Sequence, residues 1–362
     1  MQNKMLILLL TLLSAVSCNR LETPVGSLRI EFETGALQTK AGDGNVADGG
    51  GIYINNGTPD LVILIANNST GEIVASYPGS WGYSPSDGHL EQSSPTPTST
   101  QMAVTFEGLP GYDPADPEEV PYVYTVYAFA NTGGMWTMKS NDALVYALDD
   151  LTTQAEVEAL HFEPTALEMG TDGLVVKNSR LPLTAKGTVT LSKLGNGSVI
   201  LALKRCVAKV TAVFENQYTT DPEETQLSLY NFSITFNGML PATGYVVPHQ
   251  NDFLVDPEHD TDLTAGEDPM EIPKDGSYSM VWYVFPSIGP YSCDVRFDMD
   301  AEGTDSHSYS DLPVHDDHAR DIPQLARNQH LTITTRISAG KKVSFNFEVA
   351  DWDGKTETVY FD

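Results

Sequence analysis

Apolar residues recur at every second position through most of this chain, in short runs broken by Gly, Pro, Asn and Asp. That period gives a pleated strand one apolar face and one polar face, so it demands β-sheets that are covered on one side. Ser27–Thr34 carries Leu28, Ile30 and Phe32 on one face, and Gln101–Glu107 carries Met102, Val104 and Phe106. Asp60–Ala66 and Glu72–Tyr77 flank Asn67-Asn68-Ser69-Thr70-Gly71, a hairpin signature. Tyr122–Ala130 is rich in β-branched and aromatic residues and stops at Asn131. A second series opens with Val199–Phe214, the longest strand-like run, and continues through Leu227–Phe236, Tyr278–Phe285, Tyr291–Met299, His330–Ile337, Val343–Val349 and Thr356–Phe361. Only Leu151–Leu160 reads as helix, with Thr152 or Thr153 as its cap and Glu156 three or four positions on.

Many short strands, almost no helix and two size-matched halves predict an all-β chain of two tandem β-sandwich domains. The length supports two domains of about 150–170 residues each. The boundary is expected in the Gly-rich segment Leu194–Ser198, which gives an N-terminal domain over 18–194 and a C-terminal domain over 195–362. Two segments read as loose: a linker at 35–51, Gly- and Asp-rich from Lys40 to Gly51, and the Ser/Thr/Pro-rich Ser84–Thr100.

Residues 1–17 have the order of an export signal: Lys4, the apolar run Met5–Leu13, then Ser14, Ala15, Val16 and Ser17. Cys18 follows directly, as in the bacterial lipobox, where that thiol is acylated and becomes the new N-terminus. The alternative is an ordinary cleaved signal beside an incidental cysteine. A formal net charge of −29 argues against nucleic acid or anionic lipid as partners, since a polyanion would be repelled. Cys206 and Cys293 fall on apolar faces and read as two buried thiols, or as a disulfide whose geometry sequence cannot supply.

No phosphate loop, nucleophile elbow or paired-cysteine metal site occurs, so no enzyme activity and no cofactor are expected. His315, Asp316, Asp317 and His318, with Asp311 nearby, read as a solvated acidic loop rather than a metal site, as do Asp113–Glu119 and Asp256–Asp268. The two ends carry a mechanical reading instead. If cleavage in the linker, at Lys40, frees the opening strand 27–34, the sheet is left with unpaired backbone and an apolar stripe. The C-terminal segment 343–361, with Val343, Phe345, Phe347, Val349 and Trp352, can fill that gap in a second copy. Such a head-to-tail contact builds a filament.

Several segments resemble the fimbrillin family, the subunits of the type V pili of Bacteroidales. They are the signal ending in Cys18, Ala128-Phe129-Ala130-Asn131, Leu203-Lys204-Arg205-Cys206-Val207-Ala208-Lys209-Val210, Leu325-Ala326-Arg327-Asn328-Gln329-His330 with Leu331, Ile333 and Ile337, and Val349-Ala350-Asp351-Trp352. The resemblance implies transthyretin-like sandwiches, a palmitoylated lipoprotein at the outer membrane, proteolytic maturation beyond the first strand, and donor-strand exchange in an adhesive surface fimbrium. It implies other copies or related pilins as partners, the outer membrane through lipid, and a host or bacterial surface ligand. Cys18 would be the acylated residue and Lys40 the cut site, where stalk subunits that look similar present Arg. Arg29 suits cleavage less, lying inside the strand pattern. A non-polymerising anchor subunit that keeps its lipid and first strand stays open, as does a lipoprotein binding glycan or protein through loop aromatics Trp81, Tyr83 and Trp136.

Overall fold

The structure is a computed structural model that describes residues 25–32, 52, 54–55, 58–78, 89–93, 101–113, 115–116, 118–132, 137–162, 181–192, 195–217, 226–236, 243–249, 261–264, 269–286, 292–301, 307–315, 321–322, 324–338 and 342–352. The chain begins with β1 (Val25–Phe32), β2 (Ile54–Asn55), β3 (Thr58–Pro59), β4 (Leu61–Asn67), β5 (Ile73–Tyr77), β6 (His89–Ser93), β7 (Gln101–Pro110) and β8 (Tyr122–Ala130). Next come β9 (Met138–Ser140), β10 (Ala143–Val145), helix α1 (Gln154–Glu158), β11 (His161–Phe162), β12 (Leu183–Leu191), β13 (Asn196–Leu201) and β14 (Lys204–Arg205). The remainder holds β15 (Ala208–Gln217), β16 (Gln226–Phe236), β17 (Thr261–Thr264), β18 (Met270–Pro273) and β19 (Ser277–Val284). It closes with β20 (Cys293–Ala301), β21 (His307–Pro313), β22 (Gln329–Ser338) and β23 (Lys342–Asp351).

Four larger sheets form two sandwiches. In the first, β13-β1-β7-β6 faces β14-β12-β8-β4-β5. Leu28, Ile30, Val104 and Phe106 from one sheet meet Ile63, Ile65, Tyr124, Val126 and Leu183 from the other. In the second, β19-β15-β22-β23 faces β17-β16-β20-β21, with β18 also on β16. Val210, Phe214, Leu331 and Ile333 there meet Leu229, Ile234, Val295 and Phe297, and Phe214 meets the Phe232 and Phe297 rings edge-on. The expected all-β sandwich class is therefore observed. Each fully buried Val, Leu, Ile or Phe contributes about 1.5–3 kcal/mol, so these alternating stripes hold the sheets together.

Local signals act where sequence places them. Gly71 closes the β4–β5 hairpin at φ +74, a left-handed conformation that glycine adopts without strain. Asn131 ends β8 at φ 60, its side chain donating to the Leu181 carbonyl. Thr153 caps α1: its hydroxyl accepts from the Glu156 N–H while the Glu156 carboxylate accepts from the Thr153 N–H. The helix lies over the outer face of the β4–β8 pair, where Val157 joins Leu64, Tyr127 and Phe129 in a third core.

Three expectations change. Val199–Phe214 is not one strand but parts of β13, β14 and β15. β13 pairs with β1 and β14 with β12, whereas β15 begins the second sandwich. The run stays apolar while the inward residues change from odd positions (Val199, Leu201) to even ones (Ala208, Val210, Phe214), with no Gly or Pro between them, which hides the handover. The boundary expected at Leu194–Ser198 therefore falls inside the sheets of the first sandwich, and the chain crosses between Arg205 and Ala208. Within Ser84–Thr100, read as a loop, β6 forms a strand on β7.

Candidate assembly site

β1 is a central strand. It runs parallel to β13, with Ile30 beside Val199, and antiparallel to β7, with Ile30 beside Val104. Leu28 and Ile30 are fully buried and Phe32 almost so. Arg29 and Glu31 point outward and form an ion pair at 2.7 Å on the outer face. The sequence explains both faces, since residues 28, 30 and 32 are apolar and 27, 29 and 31 polar. Taking β1 away would uncover two hydrogen-bonding edges, those of β13 and β7, above three pockets spaced two residues apart. That is the geometry in which an added strand gains affinity from main-chain bonds and specificity from alternate side chains.

The tail residues sit in the other sandwich. Val343, Phe345, Phe347 and Val349 lie along β23, which pairs antiparallel with β22 from Gln329–Asp351 to Ser338–Lys342. These four are half-buried against the second core. Among the described residues β23 is the edge of its sheet and bonds on one side only. Trp352 leaves this row. It stacks on Tyr283 with ring centroids 5.6 Å apart and planes 10° apart, and its N–H donates to the Asn328 carbonyl at 2.9 Å. Cys18, Lys40 and Thr356–Phe361 lie outside the described residues, as do Trp81, Tyr83 and Trp136.

Between the sandwiches lie two buried arginines that the sequence did not single out as buried. Arg205 is only 4% exposed. Its guanidinium carbon stands 4.3 Å from the Trp352 ring centre, and Nη1 donates to Asn328 Oδ1 at 2.8 Å. The Lys209 ammonium lies 5.6 Å from the same ring. Arg327 donates to Thr184 Oγ1 at 3.1 Å and to the Val246 and Tyr245 carbonyls, each at 3.2 Å. Both guanidiniums thereby tie the first sandwich to the second through neutral acceptors. The only hint in sequence was the largely apolar company of Arg205 in Leu203–Val210; Arg327 opens the polar run Arg327–His330 and carries none.

The thiols are in different cores. Cys206 packs between the sandwiches, its Sγ 3.6 Å from the Val246 carbonyl oxygen. Cys293 lies in the second core, where burial pushes its thiol pKa up. They are not joined.

No protein-family model and no curated protein matches the chain. Solved structures of similar shape include a candidate cell adhesion protein from Parabacteroides distasonis, 11% identical, covering 91% of this chain and 97% of that one at a TM-score of 0.49. Another is the C-terminally truncated tip fimbrial protein Mfa3 from Porphyromonas gingivalis, 13% identical, covering 91% and 100% at 0.47. A fimbrial assembly protein from Parabacteroides distasonis is 14% identical, covering 90% and 97% at 0.41. At such identities and scores, the likeness assigns this chain no activity.

Proposed function

We propose that this chain is a structural subunit of a cell-surface fimbria, exported as a lipoprotein acylated on Cys18 and assembled by strand exchange after cleavage at Lys40. The observation that supports it is the position of β1: the first strand among the described residues is central in its sheet, flanked by β13 and β7, with its apolar face buried. An edge strand such as β23 holds one ladder of backbone bonds, whereas a strand in the vacated slot would hold two. Moving from edge to slot therefore adds a ladder, and the apolar row Val343, Phe345, Phe347 and Val349 has the two-residue spacing of Leu28, Ile30 and Phe32. Slot and tail strand belong to different sandwiches, which suits a head-to-tail contact between copies.

A second reading is a lipid-anchored pilus anchor, or a surface lipoprotein binding glycan or protein, that keeps β1 for good. The long β22–β23 ladder and the stacked Trp352 favour it, because both hold the tail on its own molecule.

Brief digestion with a Lys- or Arg-specific protease separates the two. A polymerising subunit is expected to lose its first strand by cutting near Lys40 and then to form a ladder of multimers. Chains that stay monomeric after this trimming, with or without residues 343–362, would remove the polymer reading in favour of the anchor.

A further inference from the structure

One sheet of each sandwich shares a common plan. β1 is the first strand of its sandwich, parallel to β13 and antiparallel to β7; β15 is the first strand of the other, parallel to β22 and antiparallel to β19. β13 and β22 thus occupy equivalent places. On its far side β22 carries the antiparallel β23, whereas among the described residues β13 is the last strand of its sheet. Ile200 on β13 is 63% exposed, one of few large apolar side chains so placed among the described residues. Folded proteins usually cover or blunt an edge of this kind.

A cleft of about 630 Å³ lies at the C-terminal end of β13. Ile200, Leu201, Lys204 and Lys186 line it from the first sandwich, Arg327 and Asp351 from the second. β23 ends at Asp351, so the residues after Trp352 start beside the end of β13. Residues 353–362 read Asp-Gly-Lys-Thr-Glu-Thr-Val-Tyr-Phe-Asp. Thr356–Phe361 is as long as β13, and such a strand extends about 20 Å. Val359 and Phe361 share one face, as Val199 and Leu201 do on β13. Lys204 lines this cleft within reach of the acidic tail (Asp353, Glu357, Asp362), in a chain whose 49 acidic residues outnumber its 20 Lys and Arg, while the neighbouring Lys186 already pairs with Glu158 at 2.6 Å.

We propose that residues 356–361 add to the outer edge of β13 within the same molecule, as an antiparallel strand, completing its sheet as β23 completes the sheet of the second sandwich. The contact covers Ile200 and shields the strand adjoining β1 until the tail is withdrawn. It needs neither cleavage nor polymerisation, so it can fail while the assembly reading stands, and the reverse.

Hydrogen exchange on the uncleaved chain tests it, comparing the full tail, a chain ending at Trp352, and Val359→Pro, which removes a strand donor while keeping the tail's length. Outward-pointing amides of Asn196–Leu201 are expected to exchange about tenfold or more slowly with the intact tail than in either variant. That difference is expected at low and high protein concentration alike, with β22 amides unchanged. Equal rates in all three chains would overturn the proposal. So would protection that grows with concentration, which would place a neighbour's strand on this edge.

Discussion

The guanidinium of Arg205 stands 4.3 Å from the centre of the Trp352 ring, which also stacks nearly parallel on Tyr283. One residue belongs to the last strand of the first sandwich and the other follows the last strand of the second, so the pair clasps both to the tail. A desolvated cation–π contact is worth about 2 kcal/mol or more, and an aromatic pair about 0.5–1.5 kcal/mol beyond its buried area. Trp352→Ala is therefore expected to cost about 3 kcal/mol in urea unfolding and to speed hydrogen exchange in β23 before the rest of the second sandwich. Arg205→Lys is expected to lose most of the same energy, because an ammonium cannot both lie flat on the ring and reach Asn328. Unchanged β23 exchange in both variants would show that the clasp does not hold the tail.

The two faces of β1 should respond differently to substitution. Ile30→Ala or Leu28→Ala is expected to destabilise by about 2–5 kcal/mol, as buried aliphatic truncations do. Glu31→Ala should cost no more than about 1 kcal/mol, since its ion pair with Arg29 is exposed. Thermal melts of the uncleaved chain would read both. Equal effects would mean that β1 is not seated with residues 28 and 30 inward.

The capping box of α1 gives an acid-side pH dependence. Hydrogen bonds from the Thr152 and Thr153 backbones hold the Glu156 carboxyl below its ordinary range, with Thr152 the larger cause. A carboxyl depressed in the folded state adds stability above its unfolded pKa and loses it as pH falls through the folded value. Glu156→Gln is expected to match the parent below that window and to fall short of it at neutral pH. Thr153→Ala, which removes the other half of the box, should cost about 1 kcal/mol at neutral pH. Local exchange at Val157 and Ala159 is the measurement.

Thiol chemistry should follow burial. Neither Cys206 nor Cys293 is exposed, and burial keeps the Cys293 thiol protonated. In a chain lacking Cys18, a maleimide is expected to modify neither thiol under native conditions and both in denaturant. Identical mobility with and without reductant would accompany this. Rapid native labelling of Cys293 would contradict its place in the second core.

Much of the strand plan could be read directly. Tyr122–Ala130 appears as β8 with the same limits, the Asn67–Gly71 turn joins β4 to β5, and Thr153 and Glu156 cap the helix. These elements are set by neighbours in sequence: side-chain period, a turn glycine, a hydroxyl three residues before a carboxylate. The apolar row of the tail and the stripe of the first strand were visible for the same reason.

Partners far apart in the chain were decided only by the tertiary structure. Alternation does not say which face of Asn196–Leu201 is buried, since Val199, Ile200 and Leu201 are all apolar, or that its neighbour is β1, some 170 residues earlier in sequence. Nor does it mark where Val199–Phe214 passes from one sandwich to the next, because both sheets ask for the same period. The burial of Arg205 and Arg327 likewise depends on acceptors supplied by Asn328, Thr184 and the 245–247 backbone, brought together only when the sandwiches dock. Periodicity is a property of adjacent residues, whereas pairing order and the satisfaction of a buried charge are properties of surfaces that meet in space.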